Sequence, residues 1–381
     1  MSPEAGCGIY VHIPFCRRKC PYCDFNSIDA FSSATLRRYL RALLADIRLT
    51  AAAGTGDVVR SIYIGGGTPS LLSVRSVSTI LASIAARFPI APDSEVTLEA
   101  NPASVDRKKL RQLRRCGISR LSIGVQSFQD RLLRVLGRIH NGAQARAALR
   151  QAQTAGFSNV SIDLMYAIAG QSLSDWEADL RQAIAGGACH VSFYDLTIEP
   201  GTSLFRRRRT FVQPAADRQA QMYRRGCRLL AAAGFRQYEI SSFAQAGFES
   251  RHNQGYWRNE PYLGFGAGAF SYWDGVRFYK QKNVVQYIYQ AQRGCLVRFG
   301  KERLCGQRRL RETLMLGLRL MRGIDLTAAA QRAGCAPDAP LQAAIAHSIE
   351  DGWLRRRGSR IRLSRRGILA YNDVVGELLR A

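Results

Sequence analysis

The sequence predicts an α/β protein built on a parallel sheet. Two observations carry this. Over the first two hundred residues, short apolar runs alternate with longer stretches of helical periodicity. The runs are near-continuously apolar, as strands covered by helices on both faces are. The strand candidates are 9–13, 61–64, 95–100, 120–125, 159–163 and 189–196. Between them, 35–53, 74–87, 106–116, 144–155 and 172–185 read as helices. Six such units close most of a barrel. A doubly wound open sheet uses the same units, and the pattern alone does not separate the two.

Beyond 196 the rhythm changes. Residues 215–233 read as a long helix, 235–243 as a strand, and 263–269 (LGFGAGA) as a glycine-rich segment. From about residue 300 the chain looks separate. Helices at 311–321, 341–351 and 366–379 surround strand-like pieces at 353–354 and 361–363, a winged-helix-like arrangement. That shape serves as a plain structural domain as readily as a DNA-binding one. The expected divisions are 1–205, an α+β extension over 206–300, and 301–381.

Composition excludes several classes. Of 381 residues, 46% are hydrophobic and 22% charged, which is ordinary for a globular protein. There is no run of about 18 apolar residues to span a bilayer. The start, MSPEAGCGIYVHIPFC, lacks a basic-then-apolar signal segment. A cytoplasmic protein with mostly reduced cysteines is expected. The charge is strongly positive, 55 Lys+Arg against 29 Asp+Glu. The arginine runs 206–209 and 355–357 lack interleaved aromatics and read as solvated faces, so no specific nucleic-acid partner is expected. An anionic membrane face remains a candidate contact for so basic a surface.

The strongest chemical signal is Cys16-Arg-Arg-Lys-Cys20-Pro-Tyr-Cys23, directly after the first strand. A disulfide cannot use three thiols. Structural zinc takes four ligands in paired units, and no second CxxC pair exists. Three thiolates suit a [4Fe–4S] cluster, one per iron, with the fourth iron open to a small molecule. Arg17, Arg18 and Lys19 are expected to offset the cluster's charge and lower the thiol pKa values. The other seven cysteines are scattered and read as small buried hydrophobes.

CxxxCxxC with Tyr22 before the last cysteine resembles the signature of radical S-adenosylmethionine (SAM) enzymes. The wording Tyr10-Val11-His12-Ile13-Pro14-Phe15-Cys16 narrows the resemblance to the oxygen-independent coproporphyrinogen oxidase (HemN) superfamily. It implies a partial (β/α)6 barrel holding a [4Fe–4S] cluster on Cys16, Cys20 and Cys23, with SAM beside it. In such proteins the reduced cluster splits SAM to a 5′-deoxyadenosyl radical. The resemblance assigns SAM contacts to Tyr10, to Gly66, Gly67 and Thr68 of the glycine turn after strand two, and to Glu99, Gln126, Arg138 and Asp163. The residue types suit a zwitterionic nucleoside: carboxylates accept from ribose hydroxyls or an ammonium, and arginine forks onto a carboxylate. One departure is that the family's usual Gly-Leu-Pro-Gly-Gln reads Ala167-Ile168-Ala169-Gly170-Gln171 here, which alters that loop.

Within the superfamily the chain is most similar to the HemW haem chaperone branch. The oxidase carries a fourth cysteine two residues beyond the motif, where this chain has Phe25, and a longer segment before the cluster. His252-Asn253-Gln254-Gly255-Tyr256-Trp257 reproduces that branch's HNxxYW motif. The branch implies haem as bound cargo and haem-accepting proteins as partners. His252, Tyr256 and Trp257 are the candidate haem contacts, because imidazole ligates haem iron and aromatic rings offer flat faces. Arg251 or Arg258 suits the propionates. The oxidase activity is the alternative, and the motifs alone do not decide whether this chain turns over a substrate.

Overall fold

The structure is a computed structural model and describes residues 6–50 and 57–381. The expected helix end at 51–53 and the first five residues lie outside the described residues. Six strands, β1 (Cys7–Ile13), β2 (Val59–Gly66), β3 (Ile90–Ala100), β4 (Arg120–Gln126), β5 (Asn159–Tyr166) and β6 (His190–Asp195), follow one another in space in chain order. Each pairs in parallel with the next. A doubly wound sheet reverses its strand order part-way. This one does not, so the helices all wrap one face and the sheet curls into a partial barrel.

The later strands extend both edges. β7 (Arg236–Gln237) and β8 (Ser242–Ala244) add antiparallel to β6. β9 (Tyr262–Phe265) adds parallel to β1, and β10 (Phe270–Trp273), β11 (Val276–Lys280) and β12 (Arg298–Arg303) continue outward. The region 206–300 therefore completes the main sheet. The stretch expected as one strand over 235–243 is β7 and β8 with a break at Tyr238–Ser241. There Glu239 is buried and accepts from Arg319 Nη2 (3.1 Å).

The barrel strands alternate more than the sequence reading expected. Ile9, Val11, Ile13, Ile62, Ile64, Leu98, Leu121, Ile123, Val160 and Ile162 face the helices and form the main core. Because successive side chains point to opposite faces, the residues between them line the lumen. That lining is polar: Tyr10, Tyr63, Glu99, Arg120, Ser122 and Asp163 are among it.

Helix ends follow local chemistry. Asn141 and Ser172 each form a capping box with the residue three positions on. One buried ion pair ties the extension to the barrel. Asp46, on the helix Ser33–Leu49, meets Lys280 of β11 and also accepts from Tyr287 Oη (2.8 Å) and Gly266 N–H (3.1 Å).

The C-terminal region has its own core, from Leu310 to Leu378. Its helices Gly306–Gly317, Leu326–Ala333 and Ala339–Glu350 pack with β13 (Ile324–Asp325), β14 (Leu354–Arg357) and β15 (Arg360–Leu363). The helix Leu326–Ala333 was not anticipated; it is alanine-rich and short, and only its Asp325 cap and Gly334 end mark it. The final helix is broken at Ala370. Both arginine runs, 206–209 and 355–357, are solvent-exposed. Among the described residues no helix is long and apolar enough to cross a membrane.

Candidate cofactor site

The loop after β1 folds back on itself. Cys16 N–H donates to Ile28 O (2.9 Å), Ile28 N–H donates to Pro14 O (2.7 Å), and Cys23 N–H donates to Cys20 O (3.1 Å). These bonds aim Cys16, Cys20 and Cys23 into one cavity of about 150 Å³ at the carboxyl ends of the strands. Among the described residues no three Cys, His, Asp or Glu side chains converge on a single ion. Three thiols around a larger cavity fit a polynuclear cluster, one sulfur per iron, better than a tetrahedral zinc.

The glycine turn makes room for this. A Cβ on Gly67 would lie 2.9 Å from Cys16 Sγ and 2.8 Å from Phe15 O. Thr68 Oγ1 donates to Cys16 Sγ (3.6 Å), and Arg138 Nη1 donates to Cys20 Sγ (3.5 Å). Hydrogen bonds to ligating sulfurs tune a cluster's potential. Arg138, 115 residues beyond Cys23, joins Arg17, Arg18 and Lys19 around the cysteine cavity. Of the neighbours expected in that role, Arg18 donates to Gly137 O (2.5 Å) and Arg138 O (3.1 Å), and Lys19 Nζ to Phe25 O (3.0 Å). Both brace the loop. The expected lowering of the thiol pKa values is not met either. Burial raises Cys16 and Cys23 and outweighs the lowering by Arg138 and Lys19. Deprotonation would accompany iron binding.

The same cavity gathers Gly66, Gly67, Thr68, Glu99, Gln126, Arg138 and Asp163 with the cysteines. Glu99 accepts from Tyr63 Oη (2.7 Å) and Gly66 N–H (3.0 Å), and burial pushes it up to about 7. Asp163 accepts from Ser122 Oγ (3.1 Å); burial raises it to about 6. It lies within β5, which runs on to Tyr166, rather than at the strand's end. Gln126 adopts φ 67 at a register shift in β4, and its Oε1 accepts from Tyr194 Oη (2.9 Å). A left-handed non-glycine at a cavity wall is strain kept in place by its surroundings. Ala167, in the departing loop, takes φ 59 and is buried, so it keeps a backbone suited to the glycine it replaces.

Tyr10 stands apart. Its hydroxyl bonds His12 Nδ1 (2.9 Å), its ring stacks on Tyr63, and it is not on the cavity wall. Ser122 and Tyr194 are on the wall and were missed. Both sit two residues from other lumen-facing positions, and that alternation was the available signal.

The helix Arg251–Trp257 is at the opposite mouth, against the starts of β1 and β2. His252 is buried, with Nδ1 bonded to Ser61 Oγ (2.9 Å) and Nε2 to Tyr256 Oη (2.9 Å). Burial and the charge of Arg120 lower it to about 3. Both ring nitrogens are thus engaged within the protein, and an imidazole ligand to haem iron would first have to leave Ser61 or Tyr256. His252 and Tyr256 floor a second cavity of about 420 Å³ that Arg251 and Arg258 also line. Trp257 points elsewhere: Arg319 lies over its ring (4.3 Å) and also faces Tyr371 (5.3 Å), joining the helix to the C-terminal region.

The chain matches the radical SAM superfamily model over residues 10–183 and the HemN C-terminal domain model over residues 306–370. It is 36% identical over 375 residues to heme chaperone HemW of Bacillus subtilis (strain 168), covering 97% of this chain and 98% of that one. It is 44% identical over 261 residues to heme chaperone HemW of Escherichia coli (strain K12), covering 68% of each chain. The chain belongs to the HemW family. Coproporphyrinogen III oxidase (HemN) from Escherichia coli superposes with a TM-score of 0.84 over 99% of this chain and 90% of that one. At 23% identity that likeness establishes the shared fold. Membership of the HemW family, within the radical SAM superfamily, carries with it a [4Fe–4S] cluster and SAM as cofactors.

Proposed function

We propose that this chain is a haem chaperone of the HemW type. It would hold the [4Fe–4S] cluster on Cys16, Cys20 and Cys23, SAM beside it, and haem against the helix Arg251–Trp257, and pass haem to acceptor proteins. The observation that carries the reading is end-to-end similarity to curated heme chaperones, 97% of the chain in one case. Phe25 supports it: this residue, 60% exposed at the cavity mouth, stands where the oxidase is expected to have a fourth cysteine. The basic surface would suit acceptors at an anionic membrane face.

When bound, the cluster supplies an electron and an open iron site to the nucleoside. The chain's own groups do the positioning. Glu99 and Asp163 accept hydrogen bonds from the ligand, Gln126 presents its amide, and Gly66 and Gly67 let the backbone approach. Arg138 keeps a positive charge beside the sulfurs. Replacing any one of Cys16, Cys20 or Cys23 by Ala should leave anaerobically reconstituted protein without the iron, sulfide and broad absorption near ~400 nm of such clusters. Full cluster content in all three variants would remove these ligands.

At the lower mouth Arg251 pairs with Asp93 (2.7 Å), an exposed pair of little intrinsic worth that a propionate can displace, and Arg258 meets Glu260 (3.6 Å) in a half-buried pair. His252 supports the helix from beneath. His252→Ala should therefore lower the unfolding midpoint while the Soret maximum of haem-loaded protein stays in place. A shifted maximum would make His252 an iron ligand.

A further inference from the structure

Arg120 is 1% exposed in the middle of the lumen, an expensive place for a charge. Its Nε and Nη1 have no hydrogen-bond partner among the described residues. The register places it between two carboxylates that serve different mouths of the barrel. On β3, Thr97 is its direct neighbour, and Glu95 is two residues along on the same face. On the other side Asn159 is its neighbour in β5, and Asp163 follows on that strand's lumen face. Ser122, two residues from Arg120, donates to Asp163.

Glu95 works at the lower mouth. Its carboxylate is buried and accepts from Ser250 Oγ (3.4 Å), Arg251 N–H (3.1 Å) and His252 N–H (3.2 Å). It therefore holds the first turn of the helix Arg251–Trp257, whose orphan N–H groups need an acceptor. Asp163 works at the upper mouth, on the wall of the cysteine cavity. One guanidinium with unfilled donors is attracted to both. A ligand that engages Asp163 would change the attraction Arg120 feels from that side, and so its position relative to Glu95.

We infer that Arg120 is a positioning residue that couples ligand occupancy at the cysteine cavity to the helix Arg251–Trp257 through Glu95. This rests on the proposed reading, in which SAM occupies the upper site and haem the lower. Coupling between two sites is reciprocal: each ligand changes the other's affinity by the same factor.

The test uses full-length protein reconstituted anaerobically. Haem affinity is read from the Soret band with and without saturating SAM, and SAM affinity by equilibrium dialysis with and without haem. In the wild type each ligand should shift the other's Kd by the same factor, about fivefold or more. Arg120→Met and Glu95→Gln should bind both ligands with that factor reduced to one, and Arg120→Lys, which keeps the charge, should retain part of it. A purely structural role would weaken both ligands without removing their coupling. Should Arg120→Met not fold, Glu95→Gln decides. Wild type binding both ligands independently, or Glu95→Gln with undiminished coupling, overturns the inference. Wild type that takes up no haem overturns the haem reading beneath it and this inference with it.

Discussion

Lys280→Met should destabilise the protein by about 3–5 kcal/mol, the cost of stranding one partner of a buried ion pair. Asp46 is fully buried and Lys280 is 5% exposed, so water cannot replace the lost ammonium. Asp46 would keep its bonds from Tyr287 and Gly266 but hold an uncompensated charge. The pair joins the helix Ser33–Leu49 to β11, so the damage should include loss of the outer strands' attachment. Adding Asp46→Asn removes the orphaned charge while keeping an acceptor for Tyr287 and Gly266. The double variant should recover part of the loss, a non-additivity expected of groups in contact. Denaturant titrations of the two single variants and the double variant measure this. A Lys280→Met variant as stable as wild type would mean that the buried pair contributes nothing to stability.

The second large effect is at the glycine turn. Gly66 has φ 117, a backbone that side chains strain to adopt, and an added Cβ would lie 2.7 Å from His12 Cε1 and 3.1 Å from Ile13 O. Gly66→Ala cannot keep this turn. It should also misplace the Gly66 N–H that donates to Glu99. Strain of about 1–3 kcal/mol corresponds to SAM binding weakened by about 5- to 150-fold. The cluster should assemble as before, since the three thiols are held by the loop's own backbone bonds. Equilibrium dialysis with SAM, alongside iron analysis, reads both. Unaltered SAM affinity would move the nucleoside away from this turn.

Much of this architecture could be read from local pattern. Strand and helix periods differ, so the alternation of β1 to β6 with helices was visible, and three cysteines within eight residues announce themselves. What local pattern cannot specify is which distant residue answers which. Arg138 faces Cys20, while the nearer Arg18 and Lys19 brace the loop. His252 looked available because nothing near it in sequence binds its Nδ1; Ser61, 191 residues away, does. The monotone strand order, which decides between barrel and doubly wound sheet, is likewise a property of pairing. Trp257 looked like a porphyrin face and instead meets Arg319 of the C-terminal region. The aromatic types were right for a flat ligand, but the same types also make inter-region contacts.

A haem chaperone of the HemW type would carry haem and leave coproporphyrinogen undecarboxylated. The most direct measurement is anaerobic reconstitution of the full chain with iron, sulfide and SAM, followed by parallel titration with haem and with coproporphyrinogen III. The expected result is about four irons per chain, stoichiometric uptake of haem with a Soret band, and no protoporphyrinogen formed. Sustained production of protoporphyrinogen, with no haem retained, would contradict it.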